Sequence, residues 1–142
     1  MKSPAAIIFL ALLLSLAVTG CGGKGTAGAA SGTLDCTVRA LSVIPQNAAA
    51  SHISSAPGNQ QQFSAGPNMP MGCPPPPLPF DFATWSVSDP VNVSISNALD
   101  STRGTAICLG ATAGAVKVTA SANDPRLAGG ATVTGSASLT CN

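Results

Sequence analysis

At 142 residues and 13.8 kDa the chain fits one ordinary domain and leaves no room for two. Only 8% of its residues are charged, six basic against five acidic, so no strong field exists to hold nucleic acid or anionic lipid. A 45% hydrophobic share at low charge excludes wholesale disorder, and one His with no Glu and no Tyr leaves few acids, bases or metal ligands for catalysis.

The N-terminal segment reads as an address. Met1-Lys2-Ser3-Pro4 carries one positive charge, and Ala5 to Val18 follows as an uncharged run rich in Leu, Ile and Ala. That run is shorter than the ~20 apolar residues a membrane span needs, and it has the basic flank of a secretory signal peptide. Val18-Thr19-Gly20-Cys21 comes next. These four residues resemble the lipobox of bacterial lipoproteins. The resemblance implies a signal peptide over residues 1–20, cleavage before Cys21, and lipidation of Cys21 by a thioether-linked diacylglyceryl group with a further fatty acyl chain such as palmitate on its amino group. Chains in that number exceed the two-chain threshold for stable anchoring, at about 0.8 kcal/mol per buried methylene. Membrane lipid, held through acylated Cys21, is therefore the first expected partner. Gly22 after the cysteine favours, by analogy, the outer over the inner membrane.

Cysteine counting fits this expectation. Five cysteines leave one unpaired in an exported protein, and assigning Cys21 to lipid leaves an even set of Cys36, Cys73, Cys108 and Cys141. Loss of Lys2 with the signal leaves five basic and five acidic residues and no net charge.

Residues 21–33 combine the lipidated cysteine with a Gly, Ala and Ser-rich tether, whose twelve residues from Gly22 reach about 20 Å as a flexible coil. From Leu34 the hydrophobic period changes to two, and residues 34–142 are expected to form one domain. Segments over Cys36–Ile44 and Gln60–Ala65 read as strands. Trp85 occupies an apolar position in Ala83-Thr84-Trp85-Ser86-Val87 and is assigned to the core. Val91, Val93 and Ile95 alternate with polar residues, and another strand is expected near Thr105–Leu109. Val116, Val118 and Ala120 then alternate with Lys117, Thr119 and Ser121. Last, Val133, Gly135, Ala137, Leu139 and Cys141 alternate with Thr and Ser. Pro57-Gly58-Asn59, Ser88-Asp89-Pro90, Gly110 to Gly114 and Asn123-Asp124-Pro125 supply turns between them. About seven short strands without a helical pattern predict an all-β Greek-key sandwich.

Four of these pieces carry a family likeness. Leu41-Ser42-Val43-Ile44-Pro45, Pro57 to Ala65, Ala83-Thr84-Trp85-Ser86-Val87-Ser88-Asp89-Pro90 and Gly110 to Ala120 occur in an order that resembles the bacterial Ig-like domain, group 2. The resemblance spans Ala40 to about Ala122 and implies an immunoglobulin-like sandwich of the kind found in adhesins and surface proteins. Two departures stand out: residues 66–80 form a longer, Pro-rich insert, and the four cysteines are not part of the general pattern. One copy is present, with no internal repeat.

The insert Met69-Pro70-Met71-Gly72-Cys73-Pro74-Pro75-Pro76-Pro77-Leu78-Pro79-Phe80 favours an extended polyproline II course, because each proline fixes its own φ and restricts the residue before it. It reads either as a rigid spacer pinned by Cys73, the reading we favour, or as a ligand for an aromatic groove or a binding loop with Met69, Met71, Leu78 and Phe80 as its apolar contacts. Four cysteines allow three pairings. Alternating strands place the start of the first strand near the loop after the second, and the end of the fifth near the end of the seventh. This selects Cys36 with Cys73 and Cys108 with Cys141. No close Cys-x-x-Cys pair, no second His and no calcium-loop pattern are present, so neither a catalytic group nor a metal or cofactor is expected. His52 is assigned to a surface loop. Val116, Val118 and Leu139 join Trp85 in the predicted core.

The sequence thus predicts a non-enzymatic, lipid-anchored envelope protein, facing the periplasm or the cell surface, that acts in adhesion, envelope structure or protein binding. The alternative is an accessory module for carbohydrate or another small ligand, which the assignment of Trp85 to the core disfavours, since only Phe63, Phe80 and Phe82 remain as aromatic platforms.

Overall fold

A computed structural model describes residues 34–142. The expected signal peptide over 1–20, the expected lipidation site at Cys21 and the tether through residue 33 lie outside the described residues. Nine strands run β1 Ala40–Ile44, β2 Asn47–Ala50, β3 Gln60–Gln62, β4 Ser64–Asn68, β5 Thr84–Val87, β6 Val93–Ile95, β7 Thr105–Cys108, β8 Val116–Ala122 and β9 Val133–Cys141, with one short 3₁₀ turn at Ala128–Gly130.

The strands form two facing layers. One is the sheet β2-β9-β8-β5, and the other comprises β1-β4 and β3-β7-β6. All pairs are antiparallel except β2 with β9. With β3 and β4 taken as one interrupted strand, this is the strand order of an immunoglobulin-type Greek-key sandwich.

Nine strands appear where about seven are predicted because the predicted strand Gln60–Ala65 is broken in two and β2, beyond the predicted Cys36–Ile44, is added. Pro45 has no N–H to donate and ends β1. The Gln46 amide stabilises the break by donating to the Val43 carbonyl at 2.6 Å, and the chain resumes as β2 in the opposite layer. The interruption of the predicted Gln60–Ala65 strand falls at Phe63, whose N–H still bonds to the Gly104 carbonyl at 2.9 Å in the β3–β7 register before the chain turns to pair with β1. Beyond it β4 continues through Gly66, Pro67 and Asn68, which pair with Ser42, Leu41 and Ala40. The first three residues of the expected insert are therefore strand. Pro67 is tolerated because β4 is hydrogen-bonded to β1 alone.

The core takes alternate residues from both layers. Leu41, Val43, Phe63, Val93 and Ala106 meet Trp85, Val116, Val118, Ala120 and Leu139, all buried in one contiguous cluster. Trp85, Val116, Val118 and Leu139 thus lie inside, on the faces the period of two assigns to them. Val91 does not: it is 79% exposed. Asp89 explains this, since its carboxylate accepts the N–H groups of Val91 and Asn92 and its carbonyl accepts that of Val93. Val91 is spent in the turn, and the strand begins only at Val93.

At one flank the layers touch backbone to backbone. A Cβ built on Gly135 of β9 would lie 2.2 Å from the Leu41 carbonyl oxygen of β1. Glycine is required there by close approach, not by its dihedral angles. All nine strands and the whole described core fall in one compact unit, which meets the requirement for folding alone.

Candidate interaction surface

Two disulfides brace the module differently. Cys36 joins Cys73 and Cys108 joins Cys141, with Cα separations of 5.5 and 5.6 Å. The second bond links the ends of β7 and β9 across the two layers, inside the core. The first holds the Pro-rich insert to the segment before β1, near the surface.

The insert is pinned at further points. Met69 and Leu78 are partly buried and pack against the core. The Cys73 N–H donates to the Pro70 carbonyl and the Phe82 N–H to that of Pro79. Arg126, from the β8–β9 connection, donates through Nη1 to the Pro77 carbonyl. Its own position is set by Asp124, to which Nη2 donates at 2.5 Å and Nε at 2.7 Å. Met71 and Phe80 are 97% and 69% exposed, Phe80 at the rim of an aromatic cavity. The four apolar residues of the expected binding loop therefore divide into a partly buried pair and an exposed pair.

The hydrogen bonds from Arg126, together with its charge, hold the Asp124 carboxyl down to about 2 from an ordinary 3.8. A carboxyl depressed in the folded state stabilises that state above its unfolded value and ceases to do so as pH falls through the folded one. Between about pH 4 and 2 the Asp124–Arg126 clamp on Pro77 is expected to open. A carbon-13 carboxyl titration should place the Asp124 midpoint near 2, and Arg126→Met should return it toward the ordinary value. An unmoved midpoint would remove Arg126 as the cause.

Beside the insert lies a cavity of about 250 Å³ lined by Gln62, Phe63, Ser64, Ala65, Phe80, Phe82, Ala83, Trp85 and Arg103. Every aromatic residue of the described chain reaches it. It sits between β4 and β5, where the two layers part. Arg103 closes one side with a guanidinium wholly engaged by carbonyl groups: Nε and Nη2 donate to Ala83, Nη2 also to Asp81, and Nη1 to Asn97 and Ala98. Next to it Asn97 occupies the place of a neighbouring strand, accepting the Trp85 N–H at 2.7 Å and donating to the Trp85 carbonyl at 2.9 Å. Gly104, at φ +79°, brings its backbone against the Trp85 ring.

The lining holds no carboxylate, imidazole or thiol, so this cavity can receive an apolar group but has nothing to move a proton. Four of the five acidic residues have carboxylates engaged by nearby groups. Thr37 and Arg39 bind and depress Asp35 to about 2, Asn92 lowers Asp89, and Thr102 lowers Asp100. Among the described residues no three His, Cys, Asp or Glu side chains come together as a metal would need. His52 is half-exposed and donates from Nδ1 to the backbone oxygen of Asn142 at 2.6 Å. The aromatic cavity is not deduced from spacing, because its walls come from three separated stretches of the chain.

No protein-family model matches the chain, and no curated protein matches it.

Proposed function

We propose that this chain is a lipid-anchored bacterial envelope protein that displays one Ig-like module for non-enzymatic binding to another envelope or surface protein. One observation carries the reading. Five cysteines are present, the two disulfides consume four, and the fifth is the cysteine of the lipobox-like Val18-Thr19-Gly20-Cys21. Disulfides belong to an oxidising compartment, which is where such an anchor would deliver the module. The sandwich order supports membership of the bacterial Ig-like group on which the sequence resemblance rests, and the pinned insert supports a display role. Outer-membrane placement follows from Gly22 by analogy.

The test is Cys21→Ser, expressed in a bacterial envelope. The native protein should fractionate with membranes and take up labelled fatty acid, whereas the variant should become soluble and unlabelled. Unchanged membrane association would eliminate the anchor. A second reading, binding of a small ligand or carbohydrate, is favoured by the convergence of all four described aromatic residues on one cavity. Saturation of the Arg103 donors by backbone carbonyls counts against it, because few polar groups remain to orient a sugar.

A further inference from the structure

We propose that Cys73–Pro79 is a pre-formed polyproline ligand, read by a partner protein through a groove lined with aromatic rings. This deepens the proposed protein-binding role and rests on it. Polyproline II has three residues per turn, so positions three apart share a face. Cys73, Pro76 and Leu78 are half-buried, while Pro74, Pro77 and Pro79 are exposed, so the period of three holds from Cys73 to Pro77 and ends at Leu78. Pro75 stands beside Pro74 on the open side. No strand or helix assignment covers residues 73–79, so no ladder competes for their backbone.

The chemistry of the exposed face specifies the partner. It carries no charge and no backbone N–H donor, since successive prolines have none. Among the described residues no hydrogen bond reaches the carbonyls of Pro74, Pro75 or Pro76, although that of Pro77 is taken by Arg126. Compact apolar pyrrolidine rings with free acceptors suit tryptophan and tyrosine, which offer a ring face and a single N–H or O–H donor. A charged or nucleic-acid partner would find nothing to pair with. The anchors add the second half of the inference. Cys36, Arg126 and the inward Met69 and Leu78 hold the run before any partner arrives, which removes much of the ordering cost of binding. Met71 and Phe80 flank the run as exposed apolar contacts.

The experiment uses residues 34–142 with both disulfides formed, titrated calorimetrically against one SH3, one WW and one EVH1 domain as aromatic-groove probes. A linear peptide of residues 73–79, with Ser in place of Cys73, serves as comparison. At least one probe should bind the module, at least threefold more tightly than it binds the peptide. Pro74→Ala with Pro77→Ala should weaken that binding tenfold or more without moving the thermal midpoint. Pro74→Ala alone gives the same direction if the double variant folds poorly. Arg126→Met, which frees Pro77, should bring the module toward the affinity of the peptide. Binding by the peptide but not the module, binding indifferent to the prolines, or no binding by any probe would each overturn the proposal. Membrane fractionation of Cys21→Ser reads the anchor independently of all these outcomes.

Discussion

Gly135→Ala is expected to destabilise the module by about 3 kcal/mol or more, at the upper end of what overpacking costs. The added methyl would meet the Leu41 carbonyl oxygen at 2.2 Å and the Leu41 carbonyl carbon at 2.7 Å. Both are backbone, so no rotamer change relieves the clash. β1 must move away from β9, and Leu41 and Val43 would leave the core with it. Gly114→Ala is the control: a Cβ there meets nothing within 4 Å. Its effect should stay within about 0.5 kcal/mol, as surface substitutions do. Urea unfolding of both variants measures the difference, and equal midpoints would show that the two layers can separate at this flank without cost.

The two disulfides should differ in their contribution. They close loops with sequence separations of 37 and 33 residues, so the chain-entropy model assigns each about 4 kcal/mol. Their surroundings break the tie. Cys108 and Cys141 are 2% and 1% exposed and belong to the core cluster, so Cys108→Ala with Cys141→Ala also leaves unfilled volume, adding about 1–2 kcal/mol. Cys36 is exposed and precedes the first strand, so Cys36→Ala with Cys73→Ala frees the insert while leaving every ladder in place. The core pair should therefore lose clearly more stability in urea than the surface pair. The reverse order would mean that the insert, not the β7–β9 seam, limits unfolding.

Much of this architecture is legible in the order of residues because alternation is a local signal. β8 and β9 carry it for seven and nine residues, long enough to fix both the faces and the inward positions of Val116, Val118 and Leu139. The cysteine partners follow from strand direction, which alternation also supplies. β2 is invisible by the same logic. Asn47-Ala48-Ala49-Ala50 has no branched or aromatic residue, and it is a strand because β9 offers an edge beside it. Val91 shows the converse, an apolar residue in phase with its strand that a stronger local partner, Asp89, captures for a turn. Leu127 is fully buried although it lies in a long connection rather than a strand. In the insert, proline content announces stiffness but not which way each residue faces. That is decided by Cys36 and Arg126, more than thirty residues away along the chain.

The side chain of Asn97 carries one last consequence. Bare strand margins recruit one another and seed fibrous stacks. β5 is a margin of its sheet and contains Trp85, a costly residue to let stick. Both Trp85 backbone groups are already occupied by Asn97, and the Ala83 carbonyl by Arg103. Two side chains thus take, over this stretch of β5, the backbone groups that a further strand would take.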